Sequence, residues 1–248
     1  EAGRFDALMD KVASFSGDAV VDLSLWGEPA LHPAFGALAD SVLSRKGLSL
    51  IVETAGVGWQ AGVVEGIAER WAASGRLDWI VSLDETGRGE YEALRGPGFE
   101  EAVAFAERLG ILFPGHAHVQ AVRMLSNERR LEVFWRGWKE KGLDVIVQKY
   151  DDFAGRLPDL TVSDLSPLGR LPCRHLARDL VIALDGSVLM CREVLGPGVY
   201  PDQAPLGNVF EDSLESIWAS GESAWLAHVQ RKLPAICERC DEYHTWNA

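Results

Sequence analysis

The sequence predicts a parallel α/β fold: a partial (β/α) barrel lacking its first strand, followed by a small C-terminal β-hairpin and helix domain that binds metal. Three observations carry this. Helical and extended patterns alternate through the first 150 residues with short connections. The extended segments turn polar on one face toward their C-terminal ends, as strands do where parallel barrels place their chemistry. All four cysteines, Cys173, Cys191, Cys237 and Cys240, lie in the last third of the 248 residues.

The elements follow in order. Phe5, Leu8, Val12 and Phe15 recur at helical spacing and predict a helix over 4–15. In the next segment, 20–26, Val21, Leu23 and Leu25 alternate with Asp22, Ser24 and Trp26, the period of a strand. Helices are expected at 35–46, 61–73, 99–109 and 128–141, and strands at 48–54, 77–84, 116–123 and 144–149. In the 77–84 strand, Leu77, Trp79, Val81 and Leu83 form one apolar face, and Asp78, Ile80, Ser82 and Asp84 the other. A strand covered by helices on both sides would be apolar on both, so an open lumen is the better reading. Because the chain opens on a helix, a further strand and its loop are expected upstream of Glu1.

After Tyr150 the alternation gives way to a loop containing Gly155, Pro158, Pro167 and Gly169, which places a boundary near 158 and domains at 1–158 and 159–248. Asp185-Gly186 between Leu180–Leu184 and Ser187–Met190 predicts a hairpin, since its turn needs positive φ. A loop with Gly196, Pro197, Gly198, Pro201 and Pro205 precedes Leu206-Gly207-Asn208-Val209. Two helices are expected, at 213–218 and 222–232, ahead of Cys237-Glu238-Arg239-Cys240. Trp71, Trp79, Trp135, Trp138, Trp218 and Trp225 read as packing residues.

Composition narrows the function. A net charge of −13 and a pI near 4.9 argue against phosphate-neutralising nucleic-acid binding and against an anionic membrane surface. No apolar run reaches the roughly 18 residues of a membrane span. The opening Glu1-Ala2-Gly3-Arg4 carries neither a leader nor a methionine, so the chain reads as a fragment or a processed product. Four cysteines are too few for a disulfide scaffold of this length and point to a reducing, cytoplasmic compartment with metal-binding thiolates. Their spacing, with seventeen, forty-five and two intervening residues, suits tetrahedral zinc or an iron–sulfur cluster alike. His175 and His244 are spare ligands for the zinc case.

The chain also resembles the radical S-adenosylmethionine (radical SAM) family. Trp26-Gly27-Glu28-Pro29 looks like the Gly-Glu-Pro segment of that family, and Glu53-Thr54-Ala55-Gly56 like its Thr-Asn-Gly turn. Ser82-Leu83-Asp84 with Tyr91-Glu92-Ala93-Leu94-Arg95-Gly96 is similar to its fourth-strand segment. The tail resembles the SPASM/twitch extension through Cys173, the hairpin ending at Cys191, Leu206-Gly207-Asn208-Val209, Ile217-Trp218 and the Cys237/Cys240 pair. The resemblance implies an auxiliary [4Fe-4S] cluster on the four cysteines, of the shorter twitch type. It also implies S-adenosylmethionine contacts from Gly27, Glu28, Thr54, Ser82 and Asp84, with Arg123, rather than Gln120, as carboxylate partner. Glu28 would meet the SAM amino group.

The family's Cys-x-x-x-Cys-x-x-Cys loop, which holds a second, catalytic [4Fe-4S] cluster, has no counterpart in these residues and would fall upstream. Trp26 and Ala55 replace the glycine and asparagine of many members. The resemblance thus implies a parent enzyme that cleaves SAM reductively, with an external reductant, to modify or oxidise a small molecule or peptide. This chain alone is expected to be inactive. The alternative is a non-catalytic interaction domain stapled by zinc or one cluster.

Overall fold

The computed structural model describes residues 2–24, 26–194 and 204–244, and its chain divides into two compact units, 1–150 and 151–248. The division falls eight residues before the boundary expected from the Gly/Pro loop. Leu25 and the expected Gly/Pro stretch at 196–201 lie outside the described residues.

Unit one opens with α1 (Ala2–Phe15) and alternates thereafter: β1 (Val20–Asp22), α2 (Phe35–Leu43), β2 (Ser49–Thr54), α3 (Val63–Trp71) and β3 (Leu77–Ser82). It continues through α4 (Arg88–Arg95), α5 (Phe99–Leu112), β4 (Ala117–Arg123), α6 (Leu131–Glu140) and β5 (Asp144–Lys149). The five strands pair in sequence order, all parallel, as βα repeats with short connections must. Only α4 was absent from the sequence expectation. Tyr91 is its single buried side chain, too little for a periodic signal.

Register sorts the side chains into two faces. Leu50, Leu77 and Val21 share one row, and Val52, Trp79 and Ala117 the next, all on the face the helices cover. Trp79 is fully buried there, its ring 5.3 Å from Trp59, 6.2 Å from Phe105 and 6.3 Å from Phe35. The opposite face carries Asp22, Ile51 and Asp78, then Glu53, Ile80, His118 and Asp144, then Ser82, Gln120 and Ile146. This polar row is the lumen side of an open half-barrel.

Two strands end earlier than their patterns predict. β1 stops at Asp22 because its Oδ1 accepts the Ser24 N–H (2.9 Å) and turns the chain. β3 stops at Ser82 because Asp84 takes a left-handed φ of +63°. Among the tryptophans, Trp79 and Trp138 are buried, whereas Trp135 and Trp218 are exposed on their helices and do not serve the core.

Unit two holds a three-stranded antiparallel sheet, β6 (Val181–Ile182), β7 (Ser187–Leu189) and β8 (Gly207–Asn208), with α7 (Leu214–Val229) and α8 (Ala235–Arg239). The Asp185-Gly186 turn joins β6 to β7 as expected, with Gly186 at φ +89°. One helix stands where two were expected. Ser213 caps it through Ser216 N–H, and it runs unbroken past Gly221, because one glycine lowers helix stability without ending it.

Candidate functional site

The four cysteines come from three places in unit two. Cys173 precedes the 3-10 turn His175–Ala177, and Cys191 follows β7. Cys237 sits in α8, and Cys240 caps that helix. All four line one cavity of about 50 Å³, with Leu176, Met190 and Ile236 among its apolar walls. A single water needs roughly 10–15 Å³ by the same kind of measure, so there is room for a polynuclear centre. The cysteines are also core residues, since Cys237 packs with Ala154, Met190 and Ile236, and Cys191 and Cys240 lie against that cluster.

Cys240 Sγ accepts the Glu242 N–H at 3.4 Å. The backbone near Glu193 and near His175 acts on Cys191 and Cys173 in the same sense, opposing the effect of burial on their thiols. Backbone N–H bonds to sulfur favour the thiolate and set the potential of an iron–sulfur centre. As thiols the four are held neutral: burial pushes Cys191 up to about 12 and Cys237 up to about 11, and raises Cys173 and Cys240. Buried thiols so disposed ionise when a metal cation replaces the proton, and loading releases those protons.

Charge surrounds the cavity. The Arg192 guanidinium meets Asp151 (2.6 Å), Glu242 (3.1 Å) and Glu193 (3.3 Å), all poorly exposed. Burial, with Asp151 nearby, raises the Glu193 carboxyl above its usual range. Arg170, His175 and His228 also line it. His175 Nδ1 lies 2.5 Å from Asp179 Oδ2, and its Nε2 has no hydrogen-bond partner among the described residues. His244, the other spare ligand considered from sequence, packs on Tyr243 and does not line the cavity. Among the described residues, no three His, Cys, Asp or Glu side chains are arranged to hold a single metal ion.

In unit one the strand ends carry the remaining candidates. Glu28 caps the 3-10 turn Pro29–Leu31. Its Oε1 accepts from Ala30 N–H (3.1 Å) and from the Thr54 hydroxyl (2.5 Å), and its Oε2 from Ala55 N–H (2.8 Å). A carboxylate has about four acceptor sites, so Glu28 keeps one for a ligand. The Thr54 hydroxyl is saturated, since it also accepts from Gly56 N–H and from Trp59 Nε1–H, both at 3.0 Å. Thr54 pairs in register with Val81 on the helix-covered face, so its part is to orient Glu28. Gly27 is exposed beside it.

Ser82 lies on the lumen row, its hydroxyl 3.4 Å from Gln120 Nε2. Asp84 is buried, accepting from Arg95 Nε and Val122 N–H, each at 2.6 Å. Arg123 shares a row with Lys149 on the face opposite Gln120. It makes a two-pronged pair with Glu128 at 2.7 and 2.8 Å. The alternation foresaw that split, and the lumen position belongs to Gln120 rather than Arg123. Sequence reasoning missed Asn127, which is fully buried and bonds Met124 N–H, Val122 O and Asp84 O. Nothing local in the sequence signals that role.

The residues 173–241 match the SPASM family, an iron–sulfur cluster-binding domain. The chain is 41% identical to an uncharacterized protein of Treponema pallidum (strain Nichols) over 252 residues, 97% of this chain and 69% of that one, and belongs to one family with it. In fold it is similar to Streptococcus suis SuiB bound to its precursor peptide SuiA, with a TM-score of 0.71 at 17% identity over 88% of this chain. It is also similar to anSMEcpe with bound AdoMet and the Cp18Cys peptide, with a TM-score of 0.64 at 13% identity over 96% of this chain.

Its C-terminal part, residues 173–241, is a SPASM match, and the chain shares the fold of SuiB and anSMEcpe.

The cysteines of the cavity are the four that the SPASM match spans. The chain covers 57% of the length of SuiB and 79% of that of anSMEcpe. No helix among the described residues is long and apolar enough to cross a membrane.

Proposed function

We propose that this SPASM-domain protein is the SAM-binding and auxiliary-cluster portion of a radical SAM enzyme, and that Cys173, Cys191, Cys237 and Cys240 hold one [4Fe-4S] cluster. The observation that carries the reading is the convergence of four cysteines, one before the His175–Ala177 turn, one after β7 and two from α8 and its cap, on one largely apolar cavity. The donor set fits the group: four cysteine sulfurs, that of Cys240 with a backbone N–H donor, around room for several atoms. Bound there, the cluster would supply one-electron chemistry.

The protein's own part is positional. Glu28, aimed by Thr54 and by two backbone N–H groups, presents its spare acceptor site to the amino group of S-adenosylmethionine. Gly27 leaves the approach open, and Ser82 with Gln120 offers polar groups on the lumen row. Asp84 holds the ends of β3 and β4 together rather than meeting ligand, and Arg123 is spent on Glu128. A peptide or small-molecule substrate, an external reductant and a cytoplasmic, reducing compartment complete the proposal. The chain by itself does not cleave SAM, since the second, catalytic [4Fe-4S] cluster needs a cysteine loop these residues do not contain.

Anaerobic reconstitution tests this. Four irons and four sulfides per chain are expected, falling by more than half when Cys191 or Cys237 is changed to Ala. A colourless chain holding one zinc would overturn the cluster reading and favour the interaction-domain alternative.

A further inference from the structure

His228 stands in the last turn of α7, 3% exposed, and lines the cysteine cavity. Its Nδ1 lies 3.3 Å from the backbone N of Cys173 and accepts that N–H. A ring nitrogen that accepts carries no proton, so the neutral imidazole bears its hydrogen on Nε2. That Nε2 is buried and has no hydrogen-bond partner among the described residues. A buried donor left unpaired is destabilising, and such groups in native proteins point to a missing acceptor. His228 lines the same cavity as the four cysteines.

We infer that His228 is a positioning residue for the auxiliary cluster: it fixes the Cys173 backbone through Nδ1 and donates its Nε2–H to a sulfur of the cluster. The inference rests on the cluster reading above. Four thiolates give such a cluster a net negative charge that grows on reduction, so a donor to its sulfurs favours the reduced form and raises the potential. Arg170 reinforces this wall. Its Nη1 donates to Cys240 O at 2.9 Å, its guanidinium lies 4.1 Å from the Tyr243 ring, and its buried Nε has no partner among the described residues. Glu193 and Glu242, both paired with Arg192, also border the cavity.

Two variants separate the two bonds of the ring. His228→Asn keeps an acceptor near the Nδ1 position and loses the distant donor, whereas His228→Gln places an amide N–H near the Nε2 position. Each full-length chain is reconstituted anaerobically, assayed for iron and sulfide, and titrated for its reduction potential by electron paramagnetic resonance. His228→Asn is expected to bind four irons with a reduction equilibrium at least tenfold less favourable, about 59 mV more negative for one electron. His228→Gln is expected to recover most of that shift. Equal potentials in all three loaded proteins, or an equal shift in both variants, would overturn the donor role alone. A wild-type chain that takes up zinc and no iron would overturn the cluster reading and this inference together.

Discussion

Asp84 holds a backbone conformation that most side chains avoid, and its carboxylate explains why. The φ of +63° turns the chain so that Oδ1 reaches the Val122 N–H and Oδ2 the Arg95 guanidinium, both at 2.6 Å and nearly out of water. Asp and Asn tolerate this region better than other residues with a Cβ. Changing Asp84 to Asn therefore keeps the turn and the Val122 bond but loses the ion pair, and is expected to cost about 1–3 kcal/mol. Changing it to Ala leaves the guanidinium and the N–H without their partner, and about 3–5 kcal/mol is expected. Urea unfolding at constant slope measures both. Losses under 0.5 kcal/mol would mean that the carboxylate does not hold the strand ends. Glu28 makes a contrasting case: its three acceptor bonds orient it without exhausting it.

At the scale of elements, the hairpin of unit two depends on its turn. Gly186 sits at φ +89°, and a Cβ there would fall 2.2 Å from Phe210 Cδ2 and 2.6 Å from Asn208 Oδ1. Asn208 is itself committed, donating to Asp185 O (3.1 Å) and accepting from Phe210 N–H (2.9 Å). The strand β7 that leaves this turn leads to Cys191. Changing Gly186 to Ala is expected to destabilise unit two by more than ~1 kcal/mol and to lower the iron retained after gel filtration. Asp185→Asn, at the exposed first turn position, is expected to retain wild-type iron. Identical iron content in both variants would show that the turn does not position the cysteine. The alternation Asp-Gly between apolar runs made this element legible. The length of α7 was not legible, because whether a helix crosses a glycine is decided by what its two faces pack against.

Over the whole molecule, each unit responds to a different condition. In unit one the imidazoles of His118 and His116 hold the Asp78 carboxyl below its usual range, with His116 Nδ1 2.9 Å and His118 Nε2 3.6 Å away. A lowered pKa means that the folded form resists protonation more than the unfolded one. Its stabilising contribution is therefore complete above the unfolded value near pH ~3.9 and fades as the pH falls through the folded value. The urea midpoint of unit one is expected to drop below pH ~4, less steeply in Asp78→Asn. Identical pH profiles would remove Asp78 from the account. Unit two has strands of only two or three residues, and its core includes its own cysteines. Stripping iron from the reconstituted chain with a chelator is expected to abolish hydrogen-exchange protection in β6, β7, α7 and α8 while leaving that of β2–β4 unchanged. Retained protection around the cysteines would show that the metal is not a staple.

The amino-acid sequence by itself determined the parallel order of five strands, the position of the hairpin and the four cysteines as a set. These follow from periodicities of two and 3.6, from positive-φ turns and from residue chemistry, all of which are local. Tertiary structure alone decided that Thr54 and Arg123 face the helices, that Gln120 rather than Arg123 looks into the lumen, and that His228 meets Cys173 from fifty-five residues away. Those outcomes depend on sheet register and on which groups compete for each donor. Both are settled only when distant segments come together and every buried polar group must find a partner.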